Sequence, residues 1–196
     1  MKPELEKVIA GNILDRHPAS DLMLYLASDN ASDSERAAFL SALKLRKETP
    51  EEVLGFADAI KSLSTLKKLP NTTDIVGTGG DKKSTINVST AAALVCSALG
   101  IRIAKHGNYS ITGAHGSADF IKFLGYNMEY SPFQAEQILE RIGFLYILAP
   151  RFNSSFSRFA RVRNILGFPS LFNYLGPITN PVDPGIVVAG SCSEAR

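Results

Sequence analysis

The stretch Asp74-Ile-Val-Gly-Thr-Gly-Gly-Asp81 decides how the rest of the chain is interpreted. A short apolar run, Ile75 and Val76, leads into three glycines within four positions, so the backbone can turn tightly with its amides converging on an anion. Helix signals follow from about Ser89, and the amides of a first helical turn are free and partly positive. This order of strand, glycine turn and helix indicates a phosphate site, and a plain strand-to-helix connection is the alternative.

Two familiar nucleotide motifs do not fit the glycine turn. The third glycine comes too early for the dinucleotide fingerprint, and no Gly-Lys-Ser/Thr closes the turn as in a P-loop. Four polar side chains follow it, namely Thr85, Asn87, Ser89 and Thr90. Capping of a helix N-terminus explains one of them but not four, which favours an oxygen-rich ligand shared among them.

A second polar segment, Lys105-His-Gly-Asn108, follows the next predicted strand. Lys105 can aim a point charge into a cleft, or it can be a surface lysine whose stem lies on apolar neighbours. His106 can be an acid or base or a structural residue, so we name no catalytic acid or base. Ligands of parallel sheets gather at the carboxyl ends of the strands, so this segment and the glycine turn can face one site.

The pattern of apolar and polar residues changes near Pro70. Before it the pattern is helical throughout, with capping boxes at Ser32 to Glu35 and Thr49 to Glu52 and two further helices over 5–13 and 22–27. After it, short apolar runs alternate with helical segments, as in a parallel sheet with crossover helices. The predicted strands are 74–77, 101–105, 144–149 and 185–190, and the predicted helices are 89–99, 117–124, 132–142 and 156–166. We therefore expect a small all-helical domain, 1–69, and a larger α/β domain, 70–196, with a mostly parallel central sheet flanked by helices.

Composition favours a globular enzyme over a binder of polyanions. The 196 residues are 45% hydrophobic and 20% charged, and the net charge of +2 does not favour nucleic acid as a partner. Cys96 and Cys192 have neither a disulfide nor a metal-site pattern. The N-terminus lacks signal-peptide features and no apolar run reaches membrane-spanning length, so we expect a cytoplasmic protein without membrane contact.

Taken together, the motifs resemble those of the anthranilate phosphoribosyltransferases of tryptophan biosynthesis. The resemblance rests on the Gly-Thr-Gly-Gly-Asp, Asn-Val-Ser-Thr and Lys-His-Gly-Asn segments in this order. It continues through 116–119, 148–150, 162–163, 172–177 and 179–181. It implies transfer of the phosphoribosyl group from phosphoribosyl pyrophosphate to the amine of anthranilate, with Mg²⁺, in a homodimer formed through the helical domain. It also implies that helices from about 150–176 join that domain.

The resemblance also assigns site residues. The positions that bind the phosphoribosyl donor are Gly77, Gly80, Asp81, Thr85, Asn87, Ser89, Thr90, Lys105 and Ser117, and Ser89 is also a magnesium ligand. The positions that contact anthranilate are Gly77, Asn108 and Arg163. A guanidinium fork matches a carboxylate in a bidentate pair, and a surface ion pair is the alternative role for Arg163.

Three departures from the family pattern carry expectations of their own. The loop 109–115 lacks the usual arginine and serine-rich sequence, and Asn153 and Ser154 stand where the family has histidine and proline. The adjacent aspartate and glutamate that bind magnesium in the family are missing. Mg²⁺ usually takes one or two carboxylates, so this chain should hold it poorly and be weak or inactive alone. We expect the sheet to be incomplete at the C-terminus, with an unpaired edge, and a separate chain or C-terminal portion to complete the fold.

Two other functions are compatible with these motifs. Some relatives of the family bind nucleic acid without anthranilate activity, which a basic groove would favour. Pyrimidine nucleoside phosphorylases of related architecture use a similar glycine turn, although the Lys105–Asn108 segment disfavours them.

Overall fold

The N-terminal region is a bundle of four helices with strong start and stop signals. The computed structural model describes residues 2–77, 86–109 and 116–190. The helices are α1 (Pro3–Ile9), α2 (Arg16–Leu26), α3 (Asp33–Arg46) and α4 (Pro50–Ser62). Both predicted capping boxes are present, at Ser32 and Thr49. The helix predicted over 5–13 ends earlier, because Gly11 takes a φ of 87° just after it.

The rest of the described chain forms an α/β unit. Its elements are β1 (Thr73–Gly77), α5 (Val88–Ala98), β2 (Ile103–Gly107), α6 (Ser117–Phe123), α7 (Pro132–Ile142), β3 (Phe144–Leu148), α8 (Ala149–Phe152), α9 (Ser154–Leu166), α10 (Phe172–Ile178) and β4 (Ile186–Gly190). The strand order is β3-β2-β1-β4, and every pair is parallel. The predicted fold class, a helical domain followed by an α/β domain with a parallel sheet, is confirmed.

The prediction was wrong in a few elements. The second strand lies two residues later than predicted, because 101–102 connect to it as a loop. The helices α8 and α10 were missed. The first has only four residues, too few for a periodic pattern. The second contains Pro177 and Gly176, which disfavour a helix interior in sequence.

Side chains of the sheet alternate between two apolar layers. Leu145 and Ile147 of β3 pack with α7, through Ala135 and Leu139. The intervening β3 residues pack in the other layer with α5 and α6, and that layer comprises Ala93, Ile103, Ala118, Ile121, Met128, Phe144, Tyr146 and Leu148. This alternation buries β2 and β3 on both faces, as a parallel sheet requires.

The helical region shares its core with helices from the second half of the chain. Phe159 of α9 packs on Phe39, with ring centroids 6.3 Å apart, and on Phe172 of α10 at 4.7 Å. Phe39 in turn makes an edge contact with Phe56. The α9 and α10 helices therefore connect the bundle to the sheet.

One edge of the described sheet is open. β4 pairs only with β1 among the described strands, and all five of its residues are exposed. Ile186 and Val188, on one face of this strand, are 60% and 52% exposed. Apolar side chains and unpaired edge groups of this kind are typical of a strand that another segment covers.

None of the helices within 2–77, 86–109 and 116–190 is long and apolar enough to cross a membrane.

A buried ion pair closes the α3–α4 connection. Glu52 is fully buried and accepts hydrogen bonds from both Arg46 Nη atoms, at 2.5 and 2.9 Å. It also accepts from the backbone amides of Leu14, at 3.1 Å, and Thr49, at 3.0 Å. Burial alone would raise the pKa of Glu52, but these hydrogen bonds and the Arg46 charge outweigh it and lower the pKa.

We predict that Glu52→Ala lowers the free energy of unfolding by about 3–5 kcal/mol, because the substitution leaves the mostly buried guanidinium of Arg46 unpaired. Urea unfolding followed by circular dichroism measures the change. Because the pKa of Glu52 is lowered from 4.5, its contribution is present above that pH and is lost as the pH falls through the lowered value. The difference between wild type and variant should therefore shrink in acid.

The matched control is Glu51→Ala, an exposed residue of the same helical turn. It should change stability by about 0.5 kcal/mol or less. Equal losses for the two variants would show that Glu52 contributes no more than an ordinary surface carboxylate.

Candidate functional site

The predicted motifs lie at the carboxyl ends of two neighbouring strands of the sheet. β1 ends at Gly77 and β2 ends at Gly107, and the two strands are parallel neighbours. The carboxyl ends of both strands therefore face the same side. In the sheet order, the direction of the connections changes between β1 and β4, and ligands of such sheets gather beside that point. Gly80, Asp81 and Thr85 lie outside the described residues.

The starts of α5 and α6 meet beside the carboxyl ends of these strands. Asn87 Nδ2, just before α5, donates to the Gly116 carbonyl at 3.4 Å. The Asn108 carbonyl accepts from Ser117 Oγ at 3.4 Å and from the Ala118 amide at 3.3 Å. Asn87, Asn108 and Ser117 are thus brought together from three separate segments.

The first turn of α5 is suited to an anion. It carries no acidic side chain, and its N-cap Asn87 makes no capping hydrogen bond. Ser89 is half-buried in this turn. Thr90 is fully buried, and its hydroxyl has no hydrogen-bond partner within the described part of the chain. The free amides of a first turn and these hydroxyls offer donors to phosphate oxygens.

Gly107 allows a tyrosine to reach the start of α6. A Cβ atom at Gly107 would lie 2.2 Å from Tyr146 Oη and 2.7 Å from Ser117 Oγ. These two oxygens share a hydrogen bond of 2.7 Å. Burial raises the pKa of Tyr146, so the phenol stays protonated and fixes the Ser117 hydroxyl.

Lys105 does not lie on the surface. Its side chain is 2% exposed, and Nζ donates to the Ile75 carbonyl on β1 at 2.5 Å. The alternative of a surface lysine is therefore wrong, and the ammonium turns back onto the neighbouring strand instead of extending past the end of its own. Burial lowers the pKa of Lys105, and the nearby charge of Asp74 opposes that change.

Two buried polar residues beside Lys105 were not assigned a role from sequence. Asp74 Oδ1 accepts from the His106 amide at 3.3 Å, and Asp74 Oδ2 accepts from Asn180 Nδ2 at 2.9 Å. Burial raises the pKa of Asp74 to about 6 against the effect of these hydrogen bonds. The signal available in sequence was a carboxylate inside an otherwise apolar strand.

His106 has a structural environment. Its ring is buried, Nδ1 lies 2.9 Å from the Gly176 carbonyl, and the ring meets Phe156 edge-on at 5.5 Å. Burial lowers the pKa of His106 to about 4, so the ring is neutral near pH 7. A neutral ring that donates through Nδ1 has only Nε2 left as an acceptor, and Nε2 has no partner among the described residues.

Arg163 is buried without a carboxylate partner in the described part of the chain. Its Nη2 lies 3.4 Å from Asn173 Oδ1, and its guanidinium lies 5.2 Å from the Phe172 ring centroid. Burial lowers the pKa of Arg163 to about 10. The surface ion pair considered for this residue is therefore wrong.

A row of rings joins Arg163 to the end of β2. Phe172 contacts Phe156 at 5.5 Å, and Phe156 contacts His106 at the same distance. The buried guanidinium is therefore linked to His106 of β2 through two successive aromatic rings.

Asn153, which departs from the family pattern, serves the fold. Its Oδ1 caps α9 by accepting from the Ser155 amide at 3.1 Å and from Ser155 Oγ at 2.5 Å. Its Nδ2 donates to the Ile60 carbonyl at the end of α4, at 2.5 Å. The side chain therefore joins the helical bundle to α9.

The described residues do not form a magnesium site by themselves. Across 2–77, 86–109 and 116–190, no three His, Cys, Asp or Glu side chains lie close enough together to hold a metal ion. The Ser89 hydroxyl, predicted as a magnesium ligand, offers a single oxygen, but Mg²⁺ usually also requires carboxylates or phosphate oxygens. Magnesium therefore does not fit these residues without a phosphorylated ligand.

A shallow depression elsewhere on the surface involves none of the predicted site residues. It lies between Leu69 and the start of α7 and is lined by Lys67, Pro132, Phe133, Ala135 and Glu136.

Comparison with protein families matches almost the whole chain. Residues 2–64 match the helical bundle domain of a glycosyl transferase family, and residues 69–195 match the α/β domain of the same family.

Several curated relatives are named anthranilate phosphoribosyltransferase. The chain is 50% identical over 166 residues to the protein from Picrophilus torridus, which covers 84% of this chain and 51% of that protein. It is 46% identical over 179 residues to the protein from Thermoplasma acidophilum, which covers 91% and 55%. The chain thus spans about half the length of the curated relatives it matches.

Solved structures agree with these relatives. The anthranilate phosphoribosyltransferase of Thermus thermophilus superposes with a TM-score of 0.88 at 36% identity, over 99% of this chain and 60% of that one. The Saccharomyces cerevisiae enzyme in complex with phosphoribosyl pyrophosphate and magnesium gives 0.82 at 30% identity, over 97% and 58%. The chain therefore belongs to the glycosyl transferase family defined by this helical bundle and this α/β domain, and within it is similar to the anthranilate phosphoribosyltransferases.

Proposed function

We propose that this chain carries the donor site of an anthranilate phosphoribosyltransferase, which forms phosphoribosylanthranilate and pyrophosphate in tryptophan biosynthesis. The observation that carries the proposal is the meeting of four segments at the carboxyl ends of the strands. These are the end of β1 at Gly77, the start of α5, the Lys105–Asn108 segment and the start of α6 at Ser117. The names of the relatives support the same reaction.

The chemistry requires stabilisation of negative charge on the leaving group. Breaking the bond from ribose C1 to pyrophosphate leaves an oxocarbenium-like sugar and a highly charged anion. The Lys105 ammonium and the free amides of α5 would stabilise that anion, and loss of one such contact typically costs about 10² to 10³ in rate. The amine of anthranilate is already a nucleophile, so positioning it in line with C1 matters more than a base.

Magnesium belongs to this proposal as a companion of the donor. The yeast structural neighbour contains both phosphoribosyl pyrophosphate and magnesium. In this chain Ser89 would hold the ion together with donor oxygens, and the ion would supply neutralisation of the pyrophosphate charge.

Arg163 is the proposed anchor of the anthranilate carboxylate. A buried guanidinium without a carboxylate among the described residues has its charge poorly compensated, and a bound carboxylate would compensate it in a bidentate pair. Asn108 and Gly77 are the other proposed acceptor contacts.

We predict that the chain binds phosphoribosyl pyrophosphate in a magnesium-dependent manner and that Lys105→Gln weakens binding by about tenfold to hundredfold. The reason is the loss of a charge-assisted hydrogen bond to phosphate. Calorimetric titration with and without Mg²⁺ measures both effects. The control Lys7→Gln removes an exposed lysine of α1 and should leave the affinity unchanged. Wild-type protein that fails to bind the donor would refute the donor site.

We predict that Arg163→Lys weakens anthranilate binding by about tenfold or more in the presence of the donor, because an ammonium cannot replace the planar fork. The fluorescence of anthranilate provides the titration signal. Arg161→Lys, an exposed position of the same helix, is the matched control. Equal affinity of wild type and Arg163→Lys would remove Arg163 from the acceptor site.

The domain division and the assembly are also proposals. We propose domains 1–69, joined by helices from 150–176, and 70–196. The shared core of Phe39, Phe159 and Phe172 supports that grouping. We further propose a homodimer through the helical domain and a complementing C-terminal chain or portion that covers β4. Exposed apolar side chains support both surfaces, among them Leu45 on the bundle and Ile186 on β4.

We predict that the 196-residue chain alone transfers phosphoribose to anthranilate far below the turnover of typical enzymes, about 1–10³ s⁻¹. The basis is the open edge at β4 and the lack of a carboxylate cluster for magnesium among the described residues. Steady-state assays of the purified chain, with sedimentation equilibrium on the same sample, give its activity and its dimerisation. Turnover at an ordinary enzymatic rate would show that no complementing segment is needed.

A further inference from the structure

The ladder between β1 and β2 is interrupted just before the candidate site. β1 and β4 pair over five consecutive positions, and so do β2 and β3. β1 and β2 share a single register pair, Thr73 with Ile103. The weak seam of the sheet therefore lies between β1, which leads into the glycine turn, and β2, which contains Lys105 and ends just before Asn108.

Side chains occupy the backbone groups that the next rung would use. Continuing the parallel register would bond the Ile75 amide to the Ala104 carbonyl, and the His106 amide to the Ile75 carbonyl. Instead, the Ala104 carbonyl accepts from Asn180 Nδ2 at 2.8 Å, and the His106 amide donates to Asp74 Oδ1. The Ile75 carbonyl accepts from Lys105 Nζ. Three side chains thus satisfy groups that a β-ladder would otherwise satisfy.

Asn180 connects this seam to the segment after α10. Its amide donates to both Asp74 and Ala104, and its Oδ1 accepts from the Val182 amide at 3.1 Å. Asp74 Oδ2 is thereby held by Asn180 rather than by Lys105. No ion pair joins Lys105 to a carboxylate within 2–77, 86–109 and 116–190, where its ammonium donates to the neutral Ile75 carbonyl.

This arrangement leaves the Lys105 ammonium able to change its hydrogen-bond partner. A neutral carbonyl is a weaker partner for an ammonium than a phosphate oxygen, whereas a direct carboxylate pair would compete with the ligand. The Asp74 charge still lies close enough to oppose the loss of a proton from buried Lys105. Asp74 thus favours the charged form of Lys105 without binding its nitrogen.

We propose that Asp74 and Asn180 are positioning residues of the donor site, which replace one rung of the β1–β2 ladder and so hold Lys105 charged but free to move from the Ile75 carbonyl to a donor phosphate. This inference rests on the proposed function. It assigns the two residues to the binding of phosphoribosyl pyrophosphate through Lys105, and neither needs to touch the ligand.

A double-mutant cycle tests whether Asp74 acts through Lys105. Calorimetric titration with phosphoribosyl pyrophosphate and Mg²⁺ compares wild type, Asp74→Asn, Lys105→Gln and the double variant. We expect Asp74→Asn to weaken binding by about tenfold in the wild-type background and by less than about twofold when Lys105 is already absent, because coupled residues are not additive. Asp58→Asn makes the same substitution at an exposed ion pair with Arg16, and it should leave binding unchanged.

The outcomes separate this inference from the proposed function. Donor binding with additive effects of the two substitutions overturns the positioning role alone, since additivity indicates a general structural effect. Absence of binding by wild type overturns the proposed function and this inference together. If Asp74→Asn does not fold, Asn180→Ser, which removes the amide donors to Asp74 and Ala104, takes its place in the cycle.

A measurement on wild type tests directly whether the Lys105 ammonium changes its hydrogen-bond partner when the donor binds. Nitrogen NMR of the lysine side chains should show a Lys105 ammonium protected from solvent exchange, with a resonance that shifts when the donor is added. Lys68, whose side chain is 77% exposed, is the internal reference. Lys105 hydrogens that exchange as fast as those of Lys68, or that do not respond to bound donor, would contradict the proposal.

Discussion

A buried ammonium is the constraint around which the sheet of this protein is arranged. Lys105 is buried on β2, which lies between β1 and β3, and an unpaired cation there would be costly. The protein satisfies it with a backbone carbonyl of the adjacent strand and a carboxylate nearby, and gives up part of the β1–β2 ladder to do so. The same exchange of backbone for side-chain partners links β1, β2 and the segment after α10.

The two parts of the chain are joined where the candidate site lies. α9 and α10 pack on the N-terminal bundle through Phe159 and Phe172, and they reach the sheet through the contact of Phe156 with His106. Arg163 belongs to the same layer of rings. Apolar packing between bundle and sheet therefore holds Arg163 in the same layer of rings that contacts His106 of β2.

Much of the architecture could be predicted from the sequence because local signals were strong. Capping boxes at Ser32 and Thr49 and the apolar runs of the strands identified most elements within a few residues. Local signals failed for α8, which is too short, and for α10, which contains Gly176 and Pro177. Tertiary packing stabilises those two helices, and intrinsic propensity does not reveal it.

The sequence by itself determined the succession of the strands and most helices along the chain, the family and the set of motif residues, because these depend on residue type and spacing along one segment. Only the tertiary structure decided which partners the buried polar side chains bind. It turned Lys105 onto the Ile75 carbonyl, assigned Asn153 to a helix cap and brought Asn180 to Asp74 across 106 positions of sequence. Hydrogen bonds between distant segments depend on how strands and helices pack, and no local pattern encodes that packing.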